Sequence, residues 1–138
     1  MRKISSIILL LILVLFFSCE EHGFLVDCPD CTPDEPVVAD LEAKIEPSYY
    51  ADALIQIWEG NIEDSVLYGS YNAYSTDFIQ EVTINKKYTI TATYYIANNT
   101  YIAVDSATPR VRYDKSQCEE PCYFVYDRIC DLRLKYTK

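Results

Sequence analysis

The side chains of this sequence best suited to chemistry are its cysteines. Five of the six fall in two groups, Cys28-Pro-Asp-Cys31 and then Cys118, Cys122 and Cys130. Thiols at these spacings support three kinds of chemistry. They can close disulfides, the default outside a reducing cytoplasm. They can bind zinc as four thiolates, because Cys-x-x-Cys and Cys-x-x-x-Cys both match the ligand spacings of structural zinc sites. A Cys-x-x-Cys can also exchange disulfides, but that needs a thiol at a helix N-terminus within a βαβ unit, and no such unit is legible here. Zinc is set aside because the first pair lies in a proline-broken stretch and the leader described below points to an oxidising compartment; no metal is expected. The expected assignment is local closure, Cys28 with Cys31 and Cys118 with Cys122, leaving Cys130 in the core. The alternative, a bond from the N-terminal segment to Cys122 or Cys130, would pin that segment against the last hairpin.

Little else supports catalysis. The single histidine, His22, sits in a polar stretch near the N-terminus, whereas a nucleophile–histidine site needs it buried beside its partner. Gly23, Gly60 and Gly69 stand alone, so no phosphate-cradling loop exists. The carboxylate pairs Glu63-Asp64 and Glu119-Glu120 are adjacent, which on a strand sends them to opposite faces. Asn61, Glu63 and Asp64 lack the alternation of oxygen ligands found in a calcium loop and read as a solvated turn. No enzyme activity and no cofactor are expected. One binding feature remains: Tyr68, Tyr71 and Tyr74 recur every third residue among Ser70, Asn72, Ser75 and Asp77. Exposed, such rings could stack on a sugar; buried, they would cover a sheet edge.

The N-terminus carries Arg2 and Lys3 followed by eleven uninterrupted apolar residues, Ile7 to Phe17. A membrane-spanning helix needs about 20 such residues, so this run fits the apolar part of a cleavable signal peptide. Leu15-Phe-Phe-Ser-Cys19 resembles a lipobox, with bulky Phe17 where many carry a small residue, a variant seen in Bacteroidetes lipoproteins. The resemblance implies cleavage after residue 18 and acylation of Cys19, because the thioether to lipid requires a sulfur. Two or more acyl chains on one residue anchor stably. Glu20 and Glu21 resemble the acidic export signal that sends such lipoproteins to the cell surface, so the expected location is the outer membrane, surface-exposed, with its periplasmic face as the alternative. Acylated Cys19 also makes the number of cysteines left for disulfides odd.

Without residues 1–18 the chain keeps 10 Lys and Arg against 21 Asp and Glu, a formal charge of −11. Such a chain repels phosphate backbones, which excludes nucleic acid as an expected partner. The expected partners are the membrane through Cys19 and either an envelope protein or a glycan.

The elements that position these residues read as strands. Residues 19–36 form an acidic tether broken by Pro29, Pro33 and Pro36, and residues 37–138 form one domain. Thirteen tyrosines with abundant Thr, Val and Ile suit a pleated surface. Leu41, Ala43 and Ile45 alternate with charged residues. Residues 53–58 are apolar on both faces apart from Gln56, as in a central strand. Ile62 to Tyr68 is a weaker strand, Gly69 to Asp77 a loop, and Phe78 to Ile84 alternates again. Tyr88 to Ile96 alternates most clearly, and Asn98-Asn99 suits a hairpin turn before Thr100 to Val104. Val111 and Tyr113 suggest an edge strand. Cys122 to Tyr126 and Ile129 to Tyr136 form a last hairpin turning at Asp127-Arg128. About eight short strands without a helix predict an all-β, antiparallel β-sandwich.

Val82-x-Ile84-x-x-x-Tyr88-Thr-Ile-Thr-Ala resembles the segment leading into the tyrosine corner of immunoglobulin-like and fibronectin type III domains, and Trp58 resembles their core tryptophan. A transthyretin-like sandwich is the second arrangement. The whole chain resembles short Bacteroidetes lipoproteins of unknown function, which implies a lipid-anchored, non-enzymatic binding or accessory role in an envelope assembly, with carbohydrate binding by the loop tyrosines as the alternative.

Overall fold

A computed structural model describes residues 28–46, 52–64 and 66–134. Nine strands follow one another: β1 (Val38–Lys44), β2 (Ala53–Glu59), β3 (Leu67–Ala73), β4 (Asp77–Thr83), β5 (Tyr88–Ile96), β6 (Asn99–Ala107), β7 (Arg110–Asp114), β8 (Cys122–Tyr126) and β9 (Ile129–Asp131). One sheet has the order β4-β1-β9 and a second β3-β2-β5-β6, while β7 and β8 form a separate hairpin. The fold is the all-β sandwich predicted from alternation.

The core forms because the two-residue period aims one face of each sheet at the other. Leu41, Ile45, Val82 and Leu132 meet Ile55, Ile57, Ile90 and the rings of Tyr88 and Tyr94. Tyr88 opens β5 and is fully buried, and its hydroxyl donates to the Thr83 carbonyl at 3.2 Å. That is the tyrosine corner expected from the sequence. Unlike an all-antiparallel sandwich, β9 pairs in parallel with β1.

Several expectations change. Trp58 is not in the core: Ala53, Ile55 and Ile57 face inward, so the pleat turns Trp58 to the outer face of its sheet. The segment from Gly69 to Asp77 is mostly strand β3, whereas Ile62–Asp64 is a short 3₁₀ turn. The pairing of Ile57 with Gly69 and Trp58 with Leu67 leaves Tyr68 as the extra residue of a bulge, and a bulge moves side chains to the other face. The β5–β6 turn falls at Ala97-Asn98, both at positive φ, one residue earlier than expected. Finally, β8 and β9 form no hairpin. β8 pairs with β7, and β9 crosses to the edge of β1, where Cys130 and Leu132 can reach the core. The strand stops at Asp131, and Tyr136 lies outside the described residues.

Tyr94 ties the layers together. Its hydroxyl donates to the Leu132 carbonyl at 2.8 Å and accepts from the Glu46 amide at 3.2 Å. Tyr94→Phe keeps the ring but strands a buried carbonyl, so it is expected to lower unfolding free energy by about 1–3 kcal/mol. Tyr95→Phe, on an exposed neighbour, should stay within about 0.5 kcal/mol. Denaturant midpoints at unchanged slope measure both.

Candidate functional site

Two regions hold chemical or binding potential: the cysteine cluster at the β7–β8 hairpin, and the outer face of the four-stranded sheet. The hairpin loop is shaped by Asp114, the last residue of β7. Its Oδ1 accepts from the Ser116 amide at 2.7 Å and the Gln117 amide at 2.8 Å. These N–H groups, Gln117 first, hold the carboxyl below its ordinary range. The loop carries Cys118 and returns to Cys122 at the start of β8.

Against this hairpin lies the segment expected to be tether. Cys28–Asp30 forms one 3₁₀ turn, and Thr32 makes an antiparallel bridge with Tyr123, amide to carbonyl at 2.9 and 2.8 Å. Arg128 adds an ion pair to Asp30 at 3.4 Å. Cys31 and Cys122 each immediately precede a residue of that bridge. The result is two long-range disulfides, Cys28–Cys118 and Cys31–Cys122, with Cα atoms 5.7 and 5.5 Å apart. The expected local closure is therefore corrected, and any free tether ends at Cys28 rather than at residue 36. Once formed, the long-range bonds stabilise the fold more than local ones would: a bridge closing 90 residues removes about 4–5 kcal/mol of entropy from the unfolded chain, one closing four residues only about 2 kcal/mol. Sulfur atoms of the two bonds approach closely, Cys31 Sγ lying 3.8 Å from Cys118 Sγ. They open on a cleft lined by Pro33, Gln117, Glu119 and Pro121.

Among the described residues Cys130 is the cysteine left unbonded, and it sits in the core, as expected. Burial, then the charges of Asp105 and Asp127, push its pKa up to about 12. A thiol so held is not a nucleophile at neutral pH.

The outer face of the four-stranded sheet was not foreseen as a site. Cross-strand register places Asn72, Leu54, Thr93 and Ile102 in one row, Ser70, Gln56, Thr91 and Val104 in the next, and Leu67, Trp58, Thr89 and Ser106 in a third. No residue of the three rows is charged. Ile102 and Val104 are 62% and 54% exposed. The opposite sheet's outer face differs: Lys44 lies 2.5 Å from Glu42 and 3.0 Å from Asp77. Alternation in β6 contained the signal, since the aliphatics Ile102 and Val104 fall where charged residues normally face solvent, beside the buried threonines of β5.

The three tyrosines expected as a sugar platform are divided. Tyr68 packs edge-on against Tyr88, centroids 5.6 Å apart, and donates to the Glu81 carbonyl of the facing sheet at 3.1 Å. Tyr71 packs against Phe78 at 5.3 Å. Tyr74, just past β3, is 72% exposed. Two of the three thus close the sandwich edge. Asn61 and Asp64 bond to each other, with Asn61 also accepting from Lys87 at 2.6 Å, which makes the solvated turn expected there. Cys19, Glu20, Glu21 and His22 lie outside the described residues.

Unreduced digestion before Asp30 and after Glu119 and Glu120 separates the cysteines of each local pair. It should yield the Cys28 peptide joined to that of Cys118 and the Cys31 peptide joined to that of Cys122; a Cys28 peptide joined to the Cys31 peptide would refute the cross-linked arrangement. Asp114, whose folded pKa lies below its ordinary 3.8, contributes stability that is present above that value and lost as pH falls through the lower folded pKa. The amide resonances of Ser116 and Gln117 should move over that acid range, and in Asp114→Asn they should not.

Comparison of the chain with protein-family models, curated proteins and solved structures finds no match in any of the three.

Proposed function

We propose that the chain is a lipid-anchored protein of the bacterial cell envelope, held to the outer membrane through Cys19 and facing the cell surface. Its sandwich serves as a non-enzymatic binding or accessory module that docks an envelope protein on the outer face of the β3-β2-β5-β6 sheet. One observation carries this reading: the uncharged outer face on a chain whose net charge is −9 overall.

The physical argument concerns desolvation. Depletion of charge is the compositional mark of an interface centre, because a charged group costs more to strip of water than an aliphatic or hydroxyl group. Four strands about 4.8 Å apart and three rows about 6.8 Å apart cover roughly 400 Å². That whole sheet area is about half of one partner's footprint in a standard interface, and only part of it is exposed, since Thr89, Thr91 and Thr93 are buried. The contact is therefore small, or it continues over the sheet edge. Thr89, Thr91 and Thr93 in the middle of the face are themselves only 6–8% exposed, so the surface a partner can reach is its edges, Ile102 and Val104 on β6 and Leu67 on β3. The disulfides add support for export, because cytosolic proteins rarely keep them.

The test is photo-cross-linking in cells from position 67, an exposed position of the same face, with Ile102→Glu/Val104→Lys as the disrupting variant and Ile79→Glu on the other sheet as control. The expected result is one discrete adduct, lost in the double variant and retained in the control, at unchanged thermal midpoints. Cys19→Ala should lose incorporated acyl label and leave the membrane fraction. A cross-link indifferent to the double variant would sink the docking surface, and glycan binding abolished by Tyr74→Ala would favour the carbohydrate reading instead.

A further inference from the structure

The sulfur cluster supports a second state. Cys31, Cys118 and Cys122 place their Sγ atoms within 4.8 Å of one another, and Cys28 joins them through its bond to Cys118. Three of the four sulfurs therefore share one small volume, and Cys28 stands just outside that group, bonded to Cys118, from where a side-chain torsion would have to bring it in. A tetrahedron with metal–sulfur bonds of about 2.3 Å has sulfur–sulfur edges of about 3.8 Å. The non-bonded Cys31–Cys118 distance is 3.8 Å. Lengthening a bonded pair from about 2.0 Å to that edge asks each sulfur to move by about 0.9 Å, within the reach of a side-chain torsion. The backbone on both sides is already set, on one side by the 3₁₀ turn and the Thr32–Tyr123 bridge, on the other by the Asp114 hydrogen bonds. The open cleft beside the sulfurs supplies an entry path for an ion.

We propose that in the reduced chain Cys28, Cys31, Cys118 and Cys122 form a tetrathiolate site for zinc or a similarly soft divalent cation. The same N-terminal segment is then stapled to the same hairpin by a metal instead of by two disulfides. The chemistry balances with a dithiol as reductant. Two dithiols reduce the two disulfides by thiol–disulfide exchange, each becoming a cyclic disulfide, and four protein thiols result. One divalent cation then takes four thiolates and four protons are released. An oxidant that re-forms the two disulfides removes the four ligands, and the ion leaves. Cys130 takes no part, being buried in the core away from the cleft.

The full chain would be reduced with a dithiol, freed of it without air, and titrated with cobalt(II), whose absorption reports both geometry and thiolate number. The expected outcome is one equivalent bound, a tetrahedral visible envelope and charge-transfer intensity for four thiolates. Metal should also restore the thermal midpoint lost on reduction. In Cys31→Ser or Cys122→Ser the charge-transfer intensity should fall by about a quarter, one thiolate in four, whereas Cys19→Ala/Cys130→Ala should bind as the parent does. Oxidation should expel the ion as four thiols disappear. The proposal is overturned if the reduced chain binds less than one equivalent, folded or not. It fails equally if the spectrum reports fewer than four thiolates, if binding depends on Cys19 or Cys130, or if cobalt binds without restoring stability.

Discussion

Two buried hydroxyls at opposite ends of β5 hold the sandwich in register. Tyr88 reaches the Thr83 carbonyl at the end of β4, and Tyr94 reaches the Leu132 carbonyl beyond β9 and the Glu46 amide beyond β1. One strand thereby engages all three strands of the opposite sheet. Each bond contributes only about 1 kcal/mol net, but the cost of leaving its partner unsatisfied is two or three times larger. In a domain stable by about 5–15 kcal/mol, that asymmetry selects one stacking of the sheets over its neighbours. Burial raises both hydroxyl pKa values, so neither ionises at physiological pH and both remain donors.

The part of this scheme that alternation governs was legible in the sequence. β5 and β8 have the bounds expected from it, because every second residue is committed to one side and no bulge intervenes. The tyrosine corner could be read because donor and acceptor are only five residues apart. β3 could not be read this way. Its bulge at Tyr68 breaks the two-residue period, and its Gly, Ser and Asn residues carry turn propensity that the pairing with β2 overrides. The apolar stretch of β2 obscured which face Trp58 takes, since both faces of that strand are apolar. Pairing between distant segments left no local mark. The parallel β1–β9 ladder and the two disulfides each join residues about 90 positions apart, and the short Cys spacings suggested local closure that the folded chain does not use.

The division of charge between the two outer faces follows from the same register. On β1 and β4 the outward positions include Glu42, Lys44, Asp77 and Glu81, while β2, β5 and β6 put Leu, Trp, Thr, Ile and Val outward. An uncharged, half-aliphatic sheet face is an aggregation hazard. Here the polar side chains Gln56 and Ser106 interrupt the aliphatics, while the threonines of β5 between them are buried. The negative charge of the rest of the surface opposes self-association through long-range repulsion. A face kept free of charge under these conditions favours a partner that covers it without burying an ion.

The hairpin poses the opposite problem. Among the described residues β7 and β8 share no ladder with either sheet, and an isolated two-stranded hairpin is marginal in water. Its order comes from the segment at Cys28–Thr32, which lies along β8 through the Thr32–Tyr123 bridge. That bridge alone offers two hydrogen bonds against the entropy of closing a loop of 90 residues, a deficit of several kcal/mol. Covalent closure removes the deficit by constraining the unfolded chain; a metal bound only by the folded arrangement removes it by mass action. Any anchor upstream of Cys28 meets the folded body at this staple, so the state of four sulfur atoms decides how firmly the domain is joined to it.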